Sequence, residues 1–448
     1  MTRGLQRFDR ARGWNHPPMI LGVLLAQLAC AQTPWLGHTT DRSKRIEIVA
    51  TRHAQRIKVQ PRSGSGHWYS PEYWAVAHDA RALSPTGSHY AFAAKHRSGQ
   101  WLVVRDGVEE DVWDGVAELT FSGVGGHLAY LVEKDARWAV VRDRKVGPFF
   151  RGVQAGTLRL SHNGQRLAYG AIEDGCVRVV VDEKRDPTCF RDLRAILLPE
   201  GEAPAVAVGE LSSGLVVRTG EVEVATFDQV SEVASSPDVT HWGVVGKIGA
   251  EAALVVDGQI VTRAPRIEHL RFADRGSRYA YAVAEGGSWR MVLGGEPGPP
   301  ADALTPVVFS SDGVHAAYLF EKAGTSHLFR DGRIERARPG AVAPVLSADG
   351  ARVAYVAVAD GRQAVVVDGE VFPMDVVVEG SVVFDTTGKH WGALVGSLSR
   401  RALWISLDGA LTLPFDAEEF FGMGTPHAPL PDLLGRWIRA ELEREVAR

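Results

Sequence analysis

An all-β fold built from repeats is predicted by three features of the 448-residue sequence. A turn signature of the Ser-Pro-Asp-Gly type recurs nine times, with successive copies 37 to 39 residues apart. An alternating strand pattern follows each turn, as in Val353-Ala354-Tyr355-Val356, and Asp-Gly dipeptides such as Asp368-Gly369 follow β-branched runs. Alternation and Asp-Gly turns are typical of antiparallel hairpins. Each repeat therefore predicts several short antiparallel strands.

The turn signature differs in quality between copies. The clear copies are Ser84-Pro85-Thr86-Gly87, Ser161-His162-Asn163-Gly164, Ser310-Ser311-Asp312-Gly313 and Ser347-Ala348-Asp349-Gly350, and weaker copies lie at Gly126, Gly201, Val239, Gly276 and Gly388. Four short strands per copy at nearly constant length predict the blades of a β-propeller. We expect about eight to nine four-stranded blades over residues 84–416. A β-solenoid is the alternative, although its repeats are usually shorter.

The segments on either side of the repeats differ from them. Residues 32–83 form an N-terminal segment with strand-like pieces, which could complete a blade or start a tenth. Residues 417–448 form a tail in which Pro426, Pro429 and Pro431 break the chain. Asp432 can then cap a short C-terminal helix that packs on the propeller or docks a partner.

The first 31 residues resemble an export signal. Four arginines precede a short apolar run over 19–29, too short to span a membrane as a helix. Cleavage after Ala31 is one interpretation, and lipidation of Cys30 as the new N-terminus is the other. Gln27 departs from the lipobox pattern. We therefore expect a periplasmic or cell-envelope protein that touches the membrane only through a lipid on Cys30.

Two further cysteines, Cys176 and Cys189, flank the turn at 182–185 and would face each other in a hairpin. In an oxidising compartment they could form a disulfide, and the alternative is two half-buried free thiols.

The repeats resemble the WD-like units of TolB-like exported bacterial propellers, in the Ser-Pro-Asp-Gly turn and the Leu-Ala-Tyr strand that follows it. The resemblance covers roughly residues 83–416. It implies a fold but no specific activity or partner, since a fold does not determine a function.

Charge and motifs limit the classes of function. With 50 basic and 54 acidic residues, the net charge of −4 gives no electrostatic footprint for nucleic acid. No nucleophile elbow, zinc-protease motif, metal-ligand spacing or phosphate loop is present, so we expect no cofactor, no metal and no catalytic residues.

A basic ring is the strongest candidate site. Eight of nine repeats carry His or Arg near the repeat glycine, namely His89, His127, Arg166, His241, Arg278, His315, Arg352 and His390, whereas Ala203 takes this place in one repeat. Aspartates of the Asp-Gly turns should lie on the same side. The residues then either pair with these aspartates structurally or form a surface that responds to pH.

A second cluster comprises His53, His67 and His78 with nearby aromatic residues, and it predicts either core packing or a stacking surface. Variable loops between the second and third strands, such as 133–137 and 246–251, are expected to carry specificity. The sequence thus favours an exported, non-enzymatic module that binds a protein partner or a small ligand on one propeller face. The alternative is a hydrolase or lyase with polar groups at the channel mouth.

Overall fold

The computed structural model describes residues 35–38, 44–50, 55–61, 68–69, 71–85, 88–397, 402–414, 438, 439 and 442. Its strands form ten antiparallel sheets, each made of consecutive strands, and the chain is a β-propeller. The nine repeats of the sequence correspond to sheets 2 to 10, because each repeat turn lies between the first and second strands of one sheet. Sheet 1 is an additional sheet formed by residues 35–69.

The first half of the chain forms sheets 1 to 5, whose strands follow in chain order. They are sheet 1 (Trp35–His38, Lys44–Ala50, Gln55–Pro61, Trp68–Tyr69), sheet 2 (Ala75–Leu83, Tyr90–Lys95, Trp101–Arg105, Val108–Trp113), sheet 3 (Gly115–Phe121, Leu128–Lys134, Arg137–Arg142, Lys145–Val146), sheet 4 (Gly152–Val153, Arg159–Leu160, Leu167–Glu173, Cys176–Val181, Lys184–Arg185) and sheet 5 (Asp192–Leu197, Val206–Leu211, Gly214–Thr219, Val222–Phe227).

The remaining sheets follow the same order. They are sheet 6 (Gln229–Ser235, Trp242–Ile248, Glu251–Val256, Gln259–Ala264), sheet 7 (Ile267–Phe272, Tyr279–Glu285, Ser288–Leu293, Glu296–Pro297), sheet 8 (Ala303–Leu304, Val308–Phe309, Ala316–Lys322, Thr325–Arg330, Arg333–Arg336), sheet 9 (Val342–Leu346, Val353–Ala359, Arg362–Val367, Glu370–Met374) and sheet 10 (Val376–Val377, Val383–Phe384, Trp391–Ser397, Ala402–Leu407, Ala410–Pro414). In sheets 4, 8 and 10 the first strand is split into two short pieces that pair with the same second strand.

The second and third strands of each repeat form the interior of the propeller. Residues 128–132 are all buried, because both faces of this strand are covered by neighbouring sheets. The fourth strand is the outer edge and is more exposed, as in Arg333–Arg336, whose four residues are all exposed. A strand that is buried on both faces has apolar residues at successive positions, which explains segments such as Val365-Val366-Val367.

Hydrophobic contacts join each sheet to the next. From sheets 2 and 3 to sheets 9 and 10, every consecutive pair shares a cluster of buried side chains. The tyrosines of the Leu-Ala-Tyr segments fill these interfaces, and Tyr130, Tyr169 and Tyr318 are among the largest fully buried residues. The stacking of sheets therefore supplies the core that a single sheet cannot form.

Several predictions fall outside the described residues. The segment 1–31, with Cys30, lies there, as do His53 and His67. The predicted C-terminal helix lies largely there too, although Ile438 and Leu442 are fully buried and Ile438 belongs to the apolar cluster of sheet 10. In the part of the chain that is described, no helix is long and apolar enough to cross a membrane.

Candidate functional site

Seven of the eight predicted His and Arg residues bond to an aspartate in the hairpin turn of their own sheet. The side-chain distances are His89–Asp106 2.7 Å, His127–Asp143 2.7 Å, Arg166–Asp182 3.1 Å, His241–Asp257 2.7 Å, His315–Asp331 2.8 Å, Arg352–Asp368 2.7 Å and His390–Asp408 2.6 Å. Arg278 has no such partner among the described residues, because Gly294 stands where the seven paired sheets have the aspartate. The ion pairing expected as the structural alternative is present.

Each of these aspartates has three roles in its turn, and Asp331 shows all of them. Its φ of +47° and that of Gly332, +83°, form the tight hairpin turn between the third and fourth strands. One carboxylate oxygen, Oδ1, accepts the backbone N–H of Ala316 at 2.9 Å, and the other binds His315. The carboxylate thereby fastens the turn to the start of the second strand.

A serine binds the backbone of the His or Arg residue whose side chain the aspartate binds. The hydroxyl of Ser310 is buried and accepts the backbone N–H of His315 at 2.9 Å, while it donates to Asp312. The corresponding serines Ser84, Ser122, Ser161, Ser236 and Ser347 are likewise buried and bond the matching backbone N–H, and Asp385 replaces the serine in sheet 10. The basic ring is thus part of a repeated Ser–His/Arg–Asp frame.

Arginines also connect consecutive sheets. Their guanidinium groups donate to backbone carbonyls in the turn of the next sheet, in the pairs Arg105–Gly126 (2.7 Å), Arg142–Gln165 (2.8 Å), Arg166–Pro199 (3.0 Å), Arg278–Gly313 (3.2 Å), Arg330–Ala351 (2.6 Å) and Arg352–Lys389 (2.6 Å). Three of these guanidiniums also lie over a phenylalanine of the next sheet, as Arg352 does over Phe384 at 5.3 Å.

The connecting arginine comes from one of two positions. Where the ring residue is histidine, the arginine ends the third strand, as in Arg105, Arg142 and Arg330; where the ring residue is itself arginine, the third strand ends in Val181, Leu293 or Val367. The two positions substitute for each other, so six of the eight junctions between sheets 2 and 10 contain such a contact. Among the described residues, the junctions on either side of sheet 6 lack one.

Sheet 5 departs from this frame. Gly220 donates its N–H to Ala205 at 3.1 Å, as Asp182 does to Leu167 in sheet 4, so a glycine replaces the turn aspartate. The residue before Ala205 is Pro204, and this proline occupies the ring position. The prediction that Ala203 stands there is wrong by one residue, because this repeat contains an extra residue before its second strand.

The departure opens a cleft of about 630 Å³ between sheets 4 and 5. The space between sheets 3 and 4 at the equivalent place is only about 220 Å³ and is lined by Leu167 and Tyr169. In sheet 5 the register puts Ala205 and Ala207 at these two positions. Two large side chains are therefore replaced by methyl groups, and the volume they would fill is left as the cleft.

The floor of the cleft is apolar and its rim is charged. Val179, Val181 and Phe190 from the sheet 4 side face Ala207, and the charged side chains of Arg166, Asp182, Lys184, Arg185, Asp186, Glu202 and Glu221 surround the opening. Arg166 is bound to Asp182, and Arg185 is bound to Glu173. The cleft lies on the same side as the turn aspartates of the frame.

Arg218 is one of four cationic residues that line the cleft, and it comes from the sheet 5 side. It stands opposite Ala207 in register, where sheet 4 has Val180 opposite Tyr169. Its Nη2 donates to the backbone carbonyl of Glu221, whereas its Nε is buried and has no hydrogen-bond partner. Arg218 as a whole is only partly buried and lines the cleft, so its guanidinium group is within reach of a ligand although Nε itself is covered by protein.

The disulfide lies beside the cleft. Cys176 and Cys189 are joined, and the adjacent residues Val177 and Phe190 form a β-bridge. Since Phe190 and Pro187 line the cleft, the cross-link fixes one of its walls.

The segments between second and third strands are tight turns in most sheets. Only two residues separate these strands in seven sheets, at 135–136, 174–175, 212–213, 249–250, 286–287, 323–324 and 360–361. In these seven sheets the predicted variable loops are two-residue turns, whereas in sheet 2 residues 96–100 join the two strands. That these segments carry binding specificity stays a prediction. In sheet 10 this segment lies outside the described residues.

The sequence did not indicate the cleft as a site, although it contains the signal. The repeat of sheet 5 has Ala205-Val206-Ala207 where sheets 3 and 4 have Leu-Ala-Tyr, and Gly220-Glu221 where most repeats have Asp-Gly or a similar turn. Within the described ranges, no group of three His, Cys, Asp or Glu side chains is arranged to hold a metal ion.

No family model and no curated protein matches this chain. Among solved structures, a eukaryotic initiation factor is 11% identical with a TM-score of 0.42, covering 83% of this chain and 98% of its own. TolB from Acinetobacter baumannii is 14% identical with a TM-score of 0.29, covering 58% and 78%. The Dos1 propeller is 10% identical with a TM-score of 0.31, covering 62% and 89%. These similarities assign no function.

Proposed function

We propose that this chain is an exported β-propeller that binds a partner or ligand in the cleft of sheet 5 and does not catalyse a reaction. The cleft carries the proposal, because Ala205 and Ala207 leave open the volume that Leu167 and Tyr169 fill in sheet 4. Concave sites of 300 to 1,000 Å³ with an apolar floor and a few polar groups are typical of ligand binding. The volume of about 630 Å³ lies within that range.

The repeated geometry of the frame supports a structural role for the basic ring. In seven of its eight members the side chain is bound to an aspartate, and the backbone N–H is held by the buried serine or by Asp385. These groups serve the fold first. We therefore assign binding to sheet 5, where Pro204 interrupts the ring, and not to the ring as a whole.

Export is supported by two independent features. The Cys176–Cys189 disulfide is of the kind that persists in oxidising compartments. The basic segment followed by a short apolar run at 1–31 is typical of a secretory signal. Mass spectrometry of the full chain expressed in a bacterial host tests this: an N-terminus at Gln32 indicates cleavage, a lipid-modified Cys30 indicates a lipoprotein, and an unprocessed Met1 in the cytoplasm contradicts export.

Binding is tested with an affinity pull-down from envelope extract, using the chain from Gln32 onward. The informative variant is Ala207→Tyr with Arg218→Val, which restores the Tyr–Val pair of sheets 3, 4, 7 and 9 and fills the cleft. We expect a saturable partner of the wild type to be lost by this variant and kept by Arg263→Gln, which changes an exposed arginine of sheet 6. Equal retention by wild type and filled variant would contradict the cleft as the binding site.

A further inference from the structure

The position of Arg218 is unusual within the fold. Across the other described repeats, the residue at this register position is Val104, Val141, Val180, Val255, Val292, Phe329, Val366 or Ser406. A guanidinium thus stands at a site of inter-sheet packing that is otherwise apolar in seven of eight cases. Its Nε is buried and unpaired, and no carboxylate of the described residues forms an ion pair with it.

The neighbouring acidic residues do not neutralise Arg218. Glu223 stands opposite in register, but its carboxylate accepts the Thr226 hydroxyl at 2.7 Å instead. Glu221 contacts Arg218 through its backbone carbonyl, and its side chain is exposed. Arg218 is partly buried at the wall of the cleft and forms no ion pair with the described residues, and an anionic ligand group would supply a charged partner.

We infer that the cleft binds a carboxylate carried on an apolar body, with Arg218 as the residue that receives the carboxylate. This inference rests on the proposed binding function and names its ligand class. A guanidinium offers a planar fork of N–H donors that matches the two oxygens of a carboxylate. Arg218 lines the cleft and so brings this group to its wall.

The surroundings favour a singly charged group over a phosphate. At the rim the four carboxylates of Asp182, Asp186, Glu202 and Glu221 outnumber the three cations of Arg166, Lys184 and Arg185 by one, so a doubly charged anion is less favourable there than a singly charged one. The floor of Val179, Val181 and Phe190 suits an aliphatic or aromatic body. A free apolar acid and the C-terminus of a peptide ending in an apolar residue share this chemistry.

Titration calorimetry with four probes tests the inference on the chain from Gln32 onward. The probes are 3-phenylpropanoate, its neutral amide, and the tripeptide Gly-Gly-Phe with a free or an amidated C-terminus. We expect each acid to bind at least about tenfold more tightly than its amide. Tighter binding of the propanoate identifies a free acid as the ligand source, and tighter binding of the tripeptide identifies a C-terminus.

Variants assign the effect to Arg218. Arg218→Val should abolish the preference for the acid, and it should fold because six other sheets carry valine at this position. Arg218→Lys should keep part of the affinity, since it retains the charge but loses the fork. Arg263→Gln should bind like the wild type. A thermal melt of each variant separates lost binding from lost folding.

Two outcomes would overturn the inference while leaving the proposed function intact. One is equal affinity for the acid and its amide. The other is no heat with any probe up to about 10 mM, a range that covers weak fragments. In both cases the proposed function stands if the filled variant Ala207→Tyr with Arg218→Val still loses the pull-down partner. If that variant also leaves retention unchanged, both the ligand class and the cleft as binding site are wrong.

Discussion

Arg352 and Lys389 belong to consecutive sheets and are joined by a 2.6 Å hydrogen bond from the guanidinium Nη1 to the backbone carbonyl oxygen. The same arginine binds Asp368 of its own sheet through Nε. It therefore holds a hairpin turn and a sheet junction with one side chain. In sheet 8 these two tasks are divided between His315 and Arg330.

This division predicts that the two arrangements can be exchanged. Arg352→His should keep the contact with Asp368 but lose the bond to the next sheet, lowering the free energy of unfolding by about 1 to 2 kcal/mol for a partly exposed charged hydrogen bond. Adding Val367→Arg should recover more than half of that loss, because position 367 corresponds to Arg330 in register. Urea unfolding measures both.

The control is Val367→Arg alone, which introduces a second arginine at an occupied junction and should destabilise, since Val367 is buried. If the two substitutions add their separate costs in the double variant, the exchange between positions is wrong.

The repeat frame was more predictable from the sequence than the cleft was. The spacing of the turns and the Asp-Gly dipeptides predicted the sheets, because both depend on residues close in the chain. The junction contacts were not visible, since Arg352 reaches a carbonyl in the next repeat and its alternative position lies at Val367. The cleft was missed because one extra residue moved Pro204 into the place assigned to Ala203.

The turn aspartate should contribute more through its backbone contacts than through its charge. Asp331→Ala removes the acceptor for the Ala316 N–H and places alanine at a φ of +47°, and we expect a loss of about 2 to 3 kcal/mol in unfolding free energy. Asp331→Asn keeps an oxygen acceptor and a residue type that tolerates this conformation. Its cost should be less than half as large. Denaturant titration of both variants at pH 7 gives the comparison, and equal costs would refute the ordering.

The disulfide should stabilise the wall of the cleft and the fold. Cys189 lies thirteen positions after Cys176, and loop closure of that length corresponds to about 3 kcal/mol at 25 °C in the chain-entropy treatment. The double variant Cys176→Ser with Cys189→Ser should unfold at lower urea concentration by this amount. Treatment of the wild type with a reductant should reproduce the shift, and the same treatment should leave the double variant unchanged. A reductant effect on the variant would mean that the loss has another origin.

Acid should weaken the frame through Asp143. Partial burial raises the pKa of this carboxyl, but hydrogen bonds from His127, the Leu128 N–H and Arg105 outweigh burial and leave the pKa below its ordinary value of 3.8. The unfolded chain then takes up the proton first as pH falls. The stabilisation is therefore complete above the unfolded pKa and is lost as pH falls through the folded one.

We expect the stability of the wild type to fall between about pH 4.5 and pH 3. Asp143→Asn should be less stable than the wild type at pH 6, and its stability should fall less over the same pH interval. Asp135→Asn is the matched control, because it removes an exposed carboxylate from a left-handed residue of the same sheet, at a φ of +52°. Its pH dependence should follow the wild type. Urea midpoints at pH 6, 4.5 and 3 measure the difference. An Asp143→Asn curve parallel to the wild type would show that this carboxylate does not couple folding to protonation.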